Sequence, residues 1–132
     1  MSQNFELEMT VHDSFDGDMT YTLLRKIGPD REIQYRIQLV DSRHYRHLPA
    51  LSGAKEWLVD SDQVEQLFKE LEQAQISIAP EFVAGVDGST TTVKITRGFN
   101  LAEFTWWEDL PDQWERLRII PEFFESHSRN DS

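Results

Sequence analysis

Hydrophobic and polar residues alternate strictly over residues 5–12. Phe5, Leu7, Met9 and Val11 fall on one side, and Glu6, Glu8, Thr10 and His12 on the other. A period of two marks a strand with one face in a core and the other in water. Asp16-Gly17 follows as a turn signal. Residues 19–27 repeat the pattern more loosely, with Met19, Tyr21, Leu23 and Ile27 on one side, and Gly28-Pro29-Asp30 breaks the chain again. Residues 33–40 alternate most cleanly, with Ile33, Tyr35, Ile37 and Leu39 inward against Gln34, Arg36 and Gln38 outward. Three strands joined by short turns predict an antiparallel meander.

The period changes after residue 60. Residues 41–56 carry no clear pattern and are expected to form an excursion loop, and Trp57-Leu58-Val59 reads as a short strand or as the lead into a helix. Asp60-Ser61-Asp62 offers cap oxygens, and Asp62 with Glu65 has capping-box spacing. Val64, Leu67, Phe68 and Leu71 then recur at i, i+3, i+4 and i+7, one apolar helix face to cover the inner side of the sheet. Residues 75–86 have no helical period and are punctuated by Pro80 and Gly85. Residues 90–97 and 102–107 predict a second strand pair around Arg97-Gly98-Phe99-Asn100. A last helix is expected to open at Pro111, with Asp109 as its cap and Trp114 and Leu117 on one face, and to kink or restart near Pro121. The polar residues 126–132 are expected to fray.

Together these elements predict one α+β domain over residues 1–132, an antiparallel sheet of about five strands with two main helices in the order β-β-β-α-β-β-α. The helices should contribute Phe68, Leu71, Trp114 and Leu117 to the core. The strands should contribute Phe5, Leu7, Tyr35, Ile37, Val93, Ile95 and one of Trp106 and Trp107.

Charge and composition narrow the function classes. The net charge is −11, from 13 basic and 24 acidic residues, which disfavours nucleic acid and anionic membranes and favours a basic partner. Residues 25–47 run against this trend, with Arg25, Lys26, Arg31, Arg36, Arg43 and Arg46 against three acids. The chain has no cysteine, which removes disulfides, thiolate metal sites and cysteine nucleophiles. No apolar run approaches a membrane span and the N-terminus lacks a leader-like apolar stretch, so the expectation is a cytoplasmic protein. There is no Gly-rich phosphate loop, nucleophile elbow or His-Glu-x-x-His, so the chain is expected not to be an enzyme and to need no cofactor.

Two constellations remain. Trp106 and Trp107 are neighbours in a predicted strand, so they must point to opposite faces. One packs under the helices; the other is either covered by another segment or free to anchor a partner. Acids crowd this pair: Glu103, Glu108, Asp109, Asp112, Glu115, Glu122 and Glu125, against Arg116 and Arg118. Some suit a helix start; with an exposed Trp they would form an acidic rim for a basic protein. The second constellation is Arg43, His44, Arg46 and His47, a basic loop that offers the alternative of a small-ligand-binding or enzymatic domain, phosphate being the ligand its charge suits.

Asp87-Gly88-Ser89-Thr90-Thr91-Thr92-Val93-Lys94-Ile95, Phe104-Thr105-Trp106-Trp107 and Leu110-Pro111-Asp112-Gln113-Trp114 together resemble a pattern of small uncharacterised bacterial proteins, with Thr92 standing where that pattern has an aromatic. In size, acidity and want of catalytic motifs the chain is similar to toxin-immunity proteins. That similarity is one of class and carries no residue-level motif. With the net charge and the Trp-and-acid cluster, the expectation is a non-enzymatic acidic binding protein, monomer or homodimer, whose most concrete form is an immunity-type inhibitor of a basic toxin, with Trp106, Trp107, Glu108, Asp109, Asp112 and Glu115 of that cluster as its contact residues.

Overall fold

The computed structural model describes residues 5–13, 17–42, 53–76, 78, 88–97 and 100–129. They form an α+β fold with one antiparallel sheet: β1 (Phe5–Asp13), β2 (Gly17–Ile27), β3 (Ile33–Asp41), β4 (Gly53–Val59), β5 (Ser89–Arg97) and β6 (Asn100–Trp107). Helix α1 (Ser61–Glu72) lies between β4 and β5. A 3-10 segment (Asp112–Arg118) and helix α2 (Ile119–Arg129) follow β6. The spatial order is β4-β3-β2-β1-β5-β6, so the meander spreads to one side of β1 and the β5–β6 hairpin adds to the other.

Register turns the alternation of single strands into rows across the sheet. Phe104, Val93, Met9, Tyr21 and Leu39 stand side by side, and Ala102, Ile95, Leu7, Leu23, Ile37 and Trp57 form the next row. Leu7, Met9, Tyr21, Leu23, Ile37 and Val93 are buried. Above them α1 lays Val64, Leu67 and Phe68, the 3-10 segment Trp114 and Leu117, and α2 Ile120 and Phe124. The Phe124 ring stacks on Tyr21 at 5.3 Å. Trp114 meets Phe104 and Trp106 edge-on at 5.3 and 6.5 Å. The opposite face is polar: threonine hydroxyls pair between Thr10 and Thr20 at 3.2 Å and between Thr92 and Thr105 at 3.0 Å. There Lys26 and Arg36 converge on Glu56 across three strands, at 3.1 and 3.8 Å.

Several expectations are revised. The sheet has six strands among the described residues, because Gly53–Val59, in part expected to be loop, pairs with β3 as an edge strand. Of the cap oxygens expected over Asp60-Ser61-Asp62, that of Asp60 caps α1, its carboxylate accepting from the Asp62 N–H at 3.1 Å, so the Asp62–Glu65 capping-box spacing is not the one used. The chain after β6 starts as a 3-10 helix with Pro111 at its N-cap and no side-chain cap, so Asp109 does not serve there. The expected restart falls at Ile119, which puts Pro121 in the first turn of α2, where its missing N–H leaves no hydrogen bond broken. Helix α2 continues past Ser126 to Arg129, tied by His127, whose ring nitrogens lie 2.8 Å from the Phe123 carbonyl and 2.7 Å from Gln63 Oε1. Ile27 and Ile33, expected inward, are exposed at the far end of the β2–β3 hairpin. The Phe5 side chain and residues 130–132 lie outside the described residues.

Candidate functional site

The third inner row of the sheet ends in a cleft. Trp106, Thr91, Val11 and Met19 are neighbours across β6, β5, β1 and β2. Beyond this row the chain leaves β6, turns through Glu108–Leu110 and re-enters as the 3-10 segment, leaving a cleft of about 400 Å³. Its floor is apolar: Met9, Val11, Trp106, Leu110 and Pro121. Its rim carries the carboxylates of Glu108, Asp109, Asp112 and Glu125, with Arg118 the basic residue among those that line it.

A backbone device aims this rim. Glu108 takes a left-handed conformation, φ 57°, which a side chain adopts only when its surroundings hold it. Its N–H donates to the Ser89 carbonyl at 2.8 Å, and its carboxylate turns back to accept from the Ser89 N–H, also at 2.8 Å. Gly88, at φ 139°, leaves the space that this carboxylate occupies. The chain thereby swings Asp109 and Leu110 over the sheet end instead of running on along β6.

Glu115 stands outside the cleft but controls its cation. Arg118 donates from Nε to Glu115 Oε1 at 2.6 Å and from Nη2 to Oε2 at 3.0 Å, a bidentate pair one helical turn apart. The hydrogen bond from Arg118, aided by its charge, holds the Glu115 carboxyl below its ordinary range. A carboxyl lowered in the folded state stabilises the fold above its unfolded pKa of about 4.3, and the contribution is lost as pH falls through the lowered value. Arg118→Gln is therefore expected to return the Glu115 titration midpoint upward toward the ordinary range, as read by side-chain carboxyl NMR; an unmoved midpoint would show that the pair does not persist in solution.

Trp106 and Trp107 do point to opposite faces. Trp106 is buried and forms cleft floor; Trp107 is half-buried on the polar face, in a row with Thr90, His12 and Asp18. The structure thus brings Trp106, Glu108, Asp109 and Asp112 together and separates Trp107 from the cleft. Arg43, His44, Arg46 and His47 lie outside the described residues. Met9, Val11, Thr91 and Pro121 were not singled out as site residues. The alternation of β1 carried a signal for the first two, but only the strand register reveals that Val11 ends up beside Trp106's neighbour Thr91.

A second groove of about 520 Å³ runs between α1 and α2 over Leu67, Ile119 and Phe123. Among the described residues no cluster of three or more His, Asp or Glu side chains is arranged to hold a metal ion, and no helix is long and apolar enough to cross a membrane. Compared with protein-family models, curated proteins and solved structures, the chain has no match in any of the three.

Proposed function

We propose that this chain is a non-enzymatic acidic binding protein that docks a basic protein partner, its most concrete form being an immunity-type inhibitor of a basic toxin. The observation that carries the reading is the cleft: an apolar floor of Met9, Val11, Leu110 and Pro121 beneath a rim of Glu108, Asp109, Asp112 and Glu125. A lysine or arginine side chain has the matching build, an apolar stem that packs on such a floor and a charged head that meets carboxylates. On a nuclease, the same carboxylates would stand where substrate phosphates sit. The net charge of −11 adds long-range attraction that speeds encounter with a basic protein. Glu108 acts mainly by shaping the rim, since its carboxylate accepts the Ser89 N–H. Asp109 and Asp112, both exposed, make the direct contacts.

The test uses the tagged chain as bait in lysate of its own source, at low and moderate salt, with retained proteins identified by mass spectrometry. A single stoichiometric basic partner released as salt rises is the expected result. The double reversal Asp109→Lys/Asp112→Lys should then weaken its binding about tenfold or more. Its melting curve should stay near that of the parent, because both residues are exposed. Binding that survives the reversal unchanged would end this reading.

A further inference from the structure

The two edges of the sheet are built differently. Lys55 of β4 and Phe104 of β6 end the same inner row, at opposite edges. A lysine on the core-facing side of an edge strand, with Glu56 next to it held by Lys26 and Arg36, resists extension of the sheet because a new strand would have to desolvate those charges. β6 has no such guard. Its core-facing residues are Asn100, Ala102, Phe104 and Trp106, and its one ionisable side chain is Glu103. Asn100 to Glu103 and Thr105 are exposed, Leu101 to 60%.

The free edge also has a defined hydrogen-bonding register. The Glu108 N–H bonds the Ser89 carbonyl, so even-numbered β6 residues face β5, and Leu101, Glu103, Thr105 and Trp107 turn their N–H and C=O groups outward. Among the described residues no strand lies beyond β6.

We propose that β6 pairs antiparallel with β6 of a second copy, about a two-fold axis through Phe104. Opposed residues in such a pair lie on one face, so their numbers sum to an even constant. With the axis at Phe104, Leu101 faces the second copy's Trp107, Glu103 faces Thr105, and Ala102 faces Trp106. No like charges meet, and the two outer-face apolar side chains that β6 leaves uncovered, Leu101 and the half-buried Trp107, cover each other. Moving the axis to Glu103 sets Glu103 against Glu103, which is destabilising. Moving it to Thr105 sets Glu103 against Trp107 and leaves Leu101 beyond the strand. The axis at Phe104 is therefore the register that both charge and apolar pairing select. Seven residues of edge pairing form a small interface, so the dimer is of the transient, concentration-dependent kind.

Sedimentation equilibrium of the full chain, from about 10 to 500 µM at about 0.15 M and 0.5 M salt, tests this. The average mass should climb from monomer toward dimer, no less at the higher salt, since salt screens the repulsion between two acidic chains. Leu101→Lys and Thr105→Pro should both hold the chain monomeric, the second by removing an N–H that only the dimer uses, with melting curves confirming that each is folded. Leu58→Lys on β4 should leave the association unchanged. Because the chain has no cysteine, a mixture of Glu103→Cys and Thr105→Cys should oxidise to a mixed disulfide dimer, in preference to either variant with itself. A monomer at the highest concentration overturns the proposal. So does a dimer that ignores both β6 variants, or one that yields no mixed disulfide.

Discussion

Phe124→Ala is expected to destabilise the fold by about 3–5 kcal/mol, the usual cost of deleting a fully buried aromatic ring. Phe124 is fully buried, stacked on Tyr21 of β2 at 5.3 Å and flanked edge-on by Phe123 at 5.8 Å. Its ring pins α2 to the middle of the sheet, and α2 closes the cleft through Pro121 and Glu125. Little room for relaxation exists, because Leu7, Leu23, Ile37 and Ile120 in the same core are also fully buried. Against a stability of about 5–15 kcal/mol for a domain of this kind, the loss takes a large share. Urea denaturation should show a lower midpoint, and thermal unfolding should shift down by roughly 10–20 °C. Phe124→Leu should cost about 1–2 kcal/mol, since most of the volume is retained. Phe123→Ala should also cost less than Phe124→Ala, because Phe123 is half-buried and lines the groove toward α1. A cost below about 1 kcal/mol for Phe124→Ala would mean that α2 does not dock on β2 as described.

The sequence made the fold class legible wherever one face of a strand meets the core. In β1, Leu7 and Met9 are buried, and in β3, Ile37. Alternation reports which face a residue takes, not whether a helix lies above it. Ile27 and Ile33 oppose each other at the hairpin end, past the helical layer, and are 77% and 47% exposed. β4 was legible only at its end, where Trp57-Leu58-Val59 read as a short strand or as a helix lead-in. Trp57 and Val59 turn inward and Leu58 is 59% exposed, but three apolar residues in a row erase the period. The caps were legible to within a residue or two: the expected cap residues at α1 included the one that serves, while Asp109 lies two residues before the observed N-cap, Pro111. At α1 the winner is Asp60, placed by its extended backbone.

The site was legible only in part. Sequence adjacency suggested acids ringed about an exposed tryptophan. Strand geometry divides that picture, since Trp106 and Trp107 must part and the acids follow the chain over Trp106's side. Part of the cleft floor, Met9 and Val11, comes from β1, Val11 lying 97 residues before Glu108 of the rim, and long-range register of that kind has no local signal. Glu108 shows the limit most clearly. Its composition says surface acid; its left-handed backbone and its bond to Ser89 make it a hinge of the rim.

That hinge gives the second large effect. Gly88→Ala is expected to cost about 2–4 kcal/mol, combining strain at a left-handed backbone position with the loss of a charge-assisted hydrogen bond. Gly88 sits at φ 139°, and a Cβ there would lie 1.9 Å from Glu108 Oε1 and 2.8 Å from its Cδ. Neither distance is tolerable, so the Glu108 carboxylate must leave the Ser89 N–H. The backbone of Gly88 must shift as well, since φ in this range suits glycine alone. Glu108→Ala removes the same hydrogen bond from the other side and should cost about 1–2 kcal/mol. The two losses therefore overlap. The double variant Gly88→Ala/Glu108→Ala should be at least about 1 kcal/mol more stable than the sum of the single effects predicts, as measured by a denaturation cycle. Strict additivity would place the clash somewhere other than Glu108. Glu108→Gly should recover part of the cost of Glu108→Ala, because glycine takes φ 57° without strain. If the cleft is the docking site, Gly88→Ala should also weaken partner binding under conditions where the domain remains folded. The substitution moves the turn that carries Asp109, while leaving every carboxylate of the rim in the chain.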